Sequence, residues 1–363
     1  MQPAPVKSSI HSLTLPVLKE RLVSMGHPGY RAEQILQWVY AKRVDSFEAM
    51  SNLPAALRAG LAEEFGFHAL EPVRVTGSED TTRKFLLKLT DGALIETVLI
   101  PANPALYGEA SDRLTLCVST QVGCAYGCKF CASGLDGWTR NLGVGEIVGQ
   151  ILRAEALSGE RVSNLVFMGM GEPLANFANL MTALEILNAP WGVGIGARRM
   201  TLSTSGLAPQ IRQLADNPLQ VRLAISLHGA TNEVRQQIMP VNRKYPLEVL
   251  LEACEYYSNR KNQRLTFEYI LIEGINDRPE DAAALVKVAR KVDAKVNCIP
   301  YNTVAGLDWT RPGEDRQDDF MAVLRRGGVT ATIRREKGHD IAAACGQLRR
   351  QTMVATEGEA KAE

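Results

Sequence analysis

Long apolar runs are missing from this chain of 363 residues. No stretch reaches the ~18–20 consecutive apolar residues that a membrane helix needs. The first residues, MQPAPVKSSIHSL, hold no apolar segment of the secretory kind. Both absences predict a cytoplasmic protein with no membrane partner. One-sided charge is missing too: 41 Lys and Arg stand against 40 Asp and Glu, a net charge of +1. No global basic field therefore announces a nucleic-acid binder. Basic residues cluster only locally, at Arg198-Arg199, Arg325-Arg326, Arg334-Arg335 with Lys337, and Arg349-Arg350. Each such cluster can track phosphates, but reads first as solvated surface. Hydrophobic residues make up 45% and charged residues 22%, ordinary values for a globular protein with a sizeable core.

What is present is a crowd of cysteines. Four of the seven fall in the stretch Cys117–Cys131, CVSTQVGCAYGCKFC. In a reducing compartment, clustered thiols point to metal or redox chemistry before structural disulfides.

The chain changes character three times. Residues 1–69 carry helical apolar periodicity in TLPVLKERLVSMG, YRAEQILQWVYAKR and LPAALRAGLAEEFG, punctuated by Pro28-Gly29. They predict a small helical N-terminal domain. Residues 70–112 hold two strand-like runs joined by Asp91-Gly92, a strong hairpin signal, followed by the turn-rich ANPALYGEASD. Residues 113–350 alternate strands with helices, and 351–363 form a short polar tail. Strands are predicted at 113–118, 164–169, 199–203, 221–227, 265–272 and 294–299. Helices are predicted at 144–157, 177–188, 208–216, 231–238, 246–259, 279–291 and about 315–326, with VTATIRR to follow. Such alternation predicts an α/β fold on a parallel sheet, barrel-like or doubly wound. In either, the site lies at the carboxyl ends of the strands. STQVGCAYGCKFC, GMGEPL, STSG, SLHG and PYN all follow strands and all fall on that face.

Cys124, Cys128 and Cys131 have the spacing C-x3-C-x2-C, with Gly123 and Gly127 permitting tight backbone paths. Three thiolates on one short loop can converge on one inorganic centre. A structural zinc wants four ligands, and ordinary iron–sulfur clusters take four cysteines. Three leave one iron of a [4Fe–4S] cube open to chelate a small molecule through an amine and a carboxylate. Cys117 is a possible fourth ligand, though it lies upstream within a strand. In MGMGEPL, Gly169 and Gly171 allow close backbone approach. Glu172 adds a carboxylate able to accept from a ligand ammonium; a plain glycine turn is the alternative. TLSTSG, with Ser203, offers hydroxyls or merely an N-cap. Ser226, Leu227 and His228 end the fourth strand, and Asn302 follows the sixth.

Cys124-x3-Cys128-x2-Cys131, with Phe130 before the last cysteine, resembles the radical S-adenosylmethionine (SAM) superfamily. The resemblance implies a partial (β/α)6 barrel carrying a [4Fe–4S] cluster on those three cysteines, with SAM on the open iron. Gly171 and Glu172 then hold the SAM amino group. Ser203, Ser226, Leu227, His228 and Asn302 complete the SAM site, Asn302 at the adenine edge. Those segments with CVSTQVGC, RNLGVGEI and the near-terminal AAACGQL resemble one family within it. These are the bacterial methyltransferases acting on C2 of an adenine in 23S rRNA and in certain tRNAs. A sister branch methylates C8 of the same rRNA adenine, and VSTQVGC, GMGEPL and STSG together favour the C2 branch. The resemblance runs from about residue 12 to 350, with a loop at 102–112 that looks longer than usual. A zinc-stabilised RNA-binding protein is the reading from another class.

The resemblance also implies roles. One SAM methylates Cys345 by SN2; a second yields the radical that takes a hydrogen from that S-methyl group. The methylene radical adds to C2, Glu96 accepts the proton, and Cys117 attacks the Cys345 sulfur, leaving a disulfide. The electron comes from a donor such as a flavodoxin-type reductant. The target base must be splayed out of its stack to enter the barrel. Arg31, Lys42 and Arg43 on the N-terminal helices are candidates for RNA docking. Cys254 and Cys298 fit no motif and read as core residues.

Overall fold

The computed structural model describes residues 7–67, 70–77, 81–102, 112–135, 137–302 and 307–334. A sheet of ten strands runs through them. In chain order these are β1 (Glu71–Gly77), β2 (Arg83–Lys88), β3 (Leu94–Pro101), β4 (Leu114–Cys117), β5 (Asn164–Phe167), β6 (Met200–Thr204), β7 (Arg222–Ser226), β8 (Thr266–Leu271), β9 (Lys295–Pro300) and β10 (Ala331–Ile333). Their order across the sheet is their order along the chain. From β4 to β10 every neighbouring pair is parallel. A doubly wound sheet reverses its strand order partway, and a barrel does not. The unbroken order therefore selects a partial barrel, with β1 and β10 as its edges.

Parallel strands are covered on both faces and so carry continuous apolar runs. Leu116, Leu165, Phe167, Leu202, Ile225 and Phe267 are all fully buried. Ten helices accompany the strands among the described residues: α1 (Leu15–Ser24), α2 (Arg31–Leu36), α3 (Ala55–Glu64), α4 (Val144–Ser158), α5 (Phe177–Asn188), α6 (Ala208–Asp216), α7 (Asn232–Ile238), α8 (Leu247–Lys261), α9 (Pro279–Lys291) and α10 (Glu314–Arg326), besides shorter turns. In α4, Ile147, Val148, Ile151 and Ala154 make the buried stripe. Glu146 caps its start by accepting from the Gly143 N–H at 2.8 Å, and Gly159 ends it with a left-handed φ of 75°. Every barrel helix expected from periodicity is present to within two residues.

The N-terminal helices bury Leu18, Leu22, Ile35, Leu36, Leu57 and Leu61 against one another. α2 runs on into a π-helical turn, Gln37–Ala41. This unit is fastened to α4. Arg43 pairs with Glu155 at 2.8 Å, and Ser12 Oγ accepts from the Gly145 N–H at 3.0 Å. Arg43, read from sequence as RNA-facing, thus serves an internal junction. Lys42 remains exposed, its Nζ 3.3 Å from the centre of the Trp38 ring. Arg31 lies half-buried against Tyr30.

The hairpin forms as expected: β2 and β3 pair antiparallel. Gly92 takes φ 83°, and Asp91 Oδ1 accepts from the Ala93 N–H at 3.0 Å. Two features were not visible in sequence. β1 adds a third antiparallel strand. Its residues are mostly exposed on both faces, so no alternation marks it. The hairpin also continues the barrel sheet, with β3 pairing β4 so that Val98 faces Cys117. Most of the 102–112 loop lies outside the described residues.

Candidate active site

A cavity of about 350 Å³ opens at the carboxyl ends of the strands. Its wall holds Glu96, Cys117, Cys124, Cys128, Cys131, Gly171, Glu172, Ser203, Ser226, His228 and Asn302. The fold thus brings to one place residues spread over two hundred positions of sequence. Leu227 does not join them. Its side chain is fully buried in the core, its N–H donates to Glu268 O at 3.0 Å, and its carbonyl accepts from the Gly229 N–H at 2.7 Å. Cys345 lies outside the described residues.

The cysteine loop is braced from two sides. Gln121–Gly123 and Trp138–Asn141 form an antiparallel ribbon at its base. Gly123, at φ 75°, lies so close to Gly137 that an added Cβ would stand 2.0 Å from Gly137 O; no other residue fits. The Cys124 N–H donates to Gly137 O at 2.9 Å, and the Lys129 N–H to Ile238 O at 3.0 Å, tying the loop to the end of α7. All three thiols are free of disulfides. Burial pushes the Cys124 thiol up to about 12, against a partly compensating hydrogen bond from the Tyr126 backbone. It pushes Cys128 well above the ordinary value and raises Cys131 as well. Such thiols keep their protons until a metal takes their place. Three soft sulfurs on one wall suit an iron–sulfur centre that leaves a position for a ligand.

Beside the loop, Glu172 is buried, 4% exposed. Its Oε1 accepts from the Leu174 N–H at 3.0 Å and its Oε2 from the Ser205 N–H at 2.7 Å. Burial outweighs these bonds and lifts the carboxyl above its usual range. No ion pair to a protein cation forms at Glu172 among the described residues, so its charge is open to a cationic ligand. The preceding Gly171 has φ 97°, and a Cβ there would stand 2.4 Å from the Gln121 Cβ. Gln121 Oε1 in turn accepts from the Glu172 N–H at 2.8 Å. Ser203 and Ser226, on adjacent strands, stand 3.4 Å apart at their hydroxyls. His228, at φ 56°, accepts from the Ile270 N–H at Nδ1, 3.0 Å, which places its own proton on Nε2. Burial drops its pKa to about 3, so it is neutral, and it packs edge-on to Phe130 at 4.6 Å. Asn302 Oδ1 accepts from Arg311 at 2.7 Å, leaving its amide N–H groups for a ligand.

Across the cavity, Glu96 on β3 pairs with Lys84 on β2 at 2.9 Å, the side chains 2% and 0% exposed. Cys117 at the end of β4 is close enough to feel both. Burial pushes its thiol up to about 11, while Arg334, a backbone bond from Met168 and Lys84 pull the other way. Sequence reading missed Lys84, Gln121 and Arg235, the last a buried residue of α7 that donates to the carbonyl of Ser205. Lys84 carried one signal, a lysine inside the apolar strand RKFLLK. Gln121 and Arg235 carried none, because both act through contacts distant in sequence.

A β/α barrel with three cysteines and a buried Gly-Glu turn at one cavity defines a radical SAM enzyme. Residues 118–286 match the radical SAM superfamily, and residues 9–66 match the ribosomal RNA large subunit methyltransferase N-terminal domain. A protein of Akkermansia muciniphila named "Probable dual-specificity RNA methyltransferase RlmN" is 59% identical over 328 residues, 90% of this chain and 91% of the relative. A second, of Opitutus terrae, named "Probable dual-specificity RNA methyltransferase RlmN 3", is 52% identical over 97% of each chain. The crystal structure of a radical SAM methyltransferase from Sphaerobacter thermophilus superposes with a TM-score of 0.87 at 43% identity, covering 94% of this chain and 98% of that one. This chain belongs to the RlmN family of radical SAM RNA methyltransferases. A [4Fe–4S] cluster and SAM are therefore its cofactors. Among the described residues no helix is long and apolar enough to cross a membrane.

Proposed function

We propose that this enzyme methylates C2 of an adenine in 23S rRNA and in tRNA by way of a methyl group carried on Cys345. The observation that carries the reading is one cavity holding the three-cysteine loop, Glu172, Glu96 and Cys117 together. C2 of adenine is electrophilic and carries no acidic proton, so an ordinary SN2 transfer from SAM finds no nucleophile there. A cluster on Cys124, Cys128 and Cys131 with SAM bound supplies a 5′-deoxyadenosyl radical, which converts an S-methyl group into a methylene radical.

The chain's own residues manage the rest. Glu172 accepts from the SAM ammonium, and Gly171 keeps the backbone close. Ser203, Ser226 and neutral His228 line the pocket, and Asn302 faces the adenine edge. The Cys345 thiolate attacks the methyl carbon of a first SAM, releasing S-adenosylhomocysteine. After its methylene carbon has joined C2, the C2 proton passes to Glu96 and the carbon–sulfur bond breaks. The carbon stays on the base and takes a proton to become methyl. The sulfur stays on Cys345 and bonds to the Cys117 thiolate. Closing that disulfide releases one electron, offsetting the one spent in splitting SAM. Returning the Cys117–Cys345 disulfide to two thiols for the next turnover takes two electrons; a low-potential donor of the flavodoxin type fits that demand, and the cytoplasm is where both RNAs and such donors are met. The helical N-terminal unit, residues 1–69, with Arg31 and Lys42 offers the docking face. A base inside a duplex cannot reach the cavity, so the target is an unstacked one.

The test separates the two thiols. Cys345→Ala cannot form the S-methyl group, hence no bond to RNA. Cys117→Ala still adds to adenine and then stalls as a protein–RNA adduct through Cys345. The adduct survives denaturation and collapses to a nucleotide mass on the Cys345 peptide after nuclease. A Cys117→Ala protein that cleaves SAM and binds RNA, yet runs free of RNA on a denaturing gel, sinks the relay.

A further inference from the structure

Arg235 is a buried cation to which the scheme above gives no task. It sits on α7, and its side chain is fully buried. Nη1 donates to Asn242 Oδ1 at 3.0 Å, Nη2 donates to the Ser205 carbonyl, and Nε finds no partner among the described residues. Every acceptor is neutral, and among the described residues no carboxylate forms an ion pair with it. Burial lowers its pKa only to about 10, so it stays charged at neutral pH. A guanidinium in that state is costly to bury unless something compensates it. Glycines make room for both its backbone and its guanidinium. A Cβ on Gly229 would stand 2.5 Å from Arg235 N, and one on Gly206 would stand 3.0 Å from Nη2.

What lies on the cavity side of α7 is the cysteine loop. The carbonyl of Ile238, the last residue of α7, accepts from the Lys129 N–H at 3.0 Å, between Cys128 and Cys131. On its other side Arg235 holds the carbonyl of Ser205, a residue that lines the same cavity wall as Cys124, Cys128 and Cys131. A four-iron cube on three thiolates brings about one net negative charge when oxidised and about two when reduced. We propose that Arg235 is the built-in counter-ion of that cluster, compensating its thiolates and favouring its reduced state. The proposal rests on the reading that Cys124, Cys128 and Cys131 are the ligands. Net charge around a cluster is one of the levers that set its potential. Arg235 acts on the cluster at a distance and is a positioning residue for charge.

The test compares full-length wild type, Arg235→Lys and Arg235→Gln, each with reconstituted cluster and no SAM. Midpoint potentials are read by EPR-monitored redox titration, and melting temperatures are taken with and without cluster. Arg235→Gln has a more negative midpoint, whereas Arg235→Lys, which keeps the charge, stays at the wild-type value. Cluster loading raises the melting temperature of Arg235→Gln less than that of wild type. That difference is insensitive to the hydrogen bonds lost to Ser205 and Asn242, which are missing in both the loaded and unloaded variant. An unchanged midpoint and loading gain in Arg235→Gln overturns the proposal. So does a shift in Arg235→Lys as large as that in Arg235→Gln, or an Arg235→Gln protein that cannot fold even without iron. Failure of wild type itself to take up a four-iron cluster sinks the ligand assignment instead.

Discussion

At each end of the cavity a buried carboxylate has a buried cation behind it, and the two pairs are wired in opposite ways. At the Cys117 end, Lys84 and Glu96 touch at 2.9 Å and neutralise each other. At the cysteine-loop end, the backbone of Ser205 stands between the charges. Its N–H donates to Glu172 at 2.7 Å and its carbonyl accepts from Arg235. Glu172 and Arg235 are thereby oriented but not neutralised. Direct contact fixes a charge for use on a transient species. Separation by backbone leaves each charge available to a ligand, which on the reading proposed above is the SAM ammonium for Glu172 and the cluster for Arg235. Charges that the polypeptide does not compensate mark where its ligands go.

The strongest way to break the first arrangement is Lys84→Met. It removes the cation 2.9 Å from a buried carboxylate, a loss on the order of 3–5 kcal/mol in unfolding free energy. The double variant Lys84→Met/Glu96→Gln removes both charges and recovers much of that loss. Urea denaturation of the four proteins completes the cycle. Additive losses would show that the pair does not stabilise as a unit.

The second arrangement responds differently. Glu172→Gln removes a charge that has no ion-pair partner among the described residues, so iron content stays near wild type and folding stability does not fall. SAM binding loses a charge-assisted bond of about 1.5–3 kcal/mol, roughly ten- to hundredfold in affinity. Equilibrium binding of labelled SAM to the cluster-loaded protein measures it. Wild-type affinity in the variant returns Glu172 to a plain N-cap for Leu174 and Ser205.

The contrast explains how much was legible in the sequence. The barrel helices were, because amphipathic periodicity is local: α5, α6 and α9 fall on the residues their spacing predicted. The site segments were too, because strand-end position sorts residues without any knowledge of contacts. β1 was not, since an exposed edge strand needs no alternation. Nor were the groups that orient the site from behind. Arg235 reaches Ser205 across 30 positions, and Gln121 reaches Glu172 across 51. Their meaning lies in tertiary contact. Leu227 shows the reverse limit: its neighbours Ser226 and His228 line the cavity while its own side chain turns into the core.

The pH dependence of SAM binding gives the smallest and sharpest effect. Burial raises the Glu172 carboxyl above the ordinary carboxylate value in the unloaded protein. An ammonium ligand prefers the ionised form, so binding expels the Glu172 proton wherever it is still bound. Affinity is therefore flat above the raised value and falls as pH drops through it, by at most about 1.4 kcal/mol, tenfold, per pH unit. Stability of the SAM-free protein carries the opposite sign. A carboxyl raised on folding contributes stability that is fully present below its unfolded value of about 4.3 and is lost as pH rises through its folded value. Other carboxylates titrate in that range, so each quantity is read as wild type minus Glu172→Gln. That difference shows SAM binding weakening and SAM-free stability growing across one window of falling pH. Two curves that move in the same direction would place the titrating group somewhere other than Glu172.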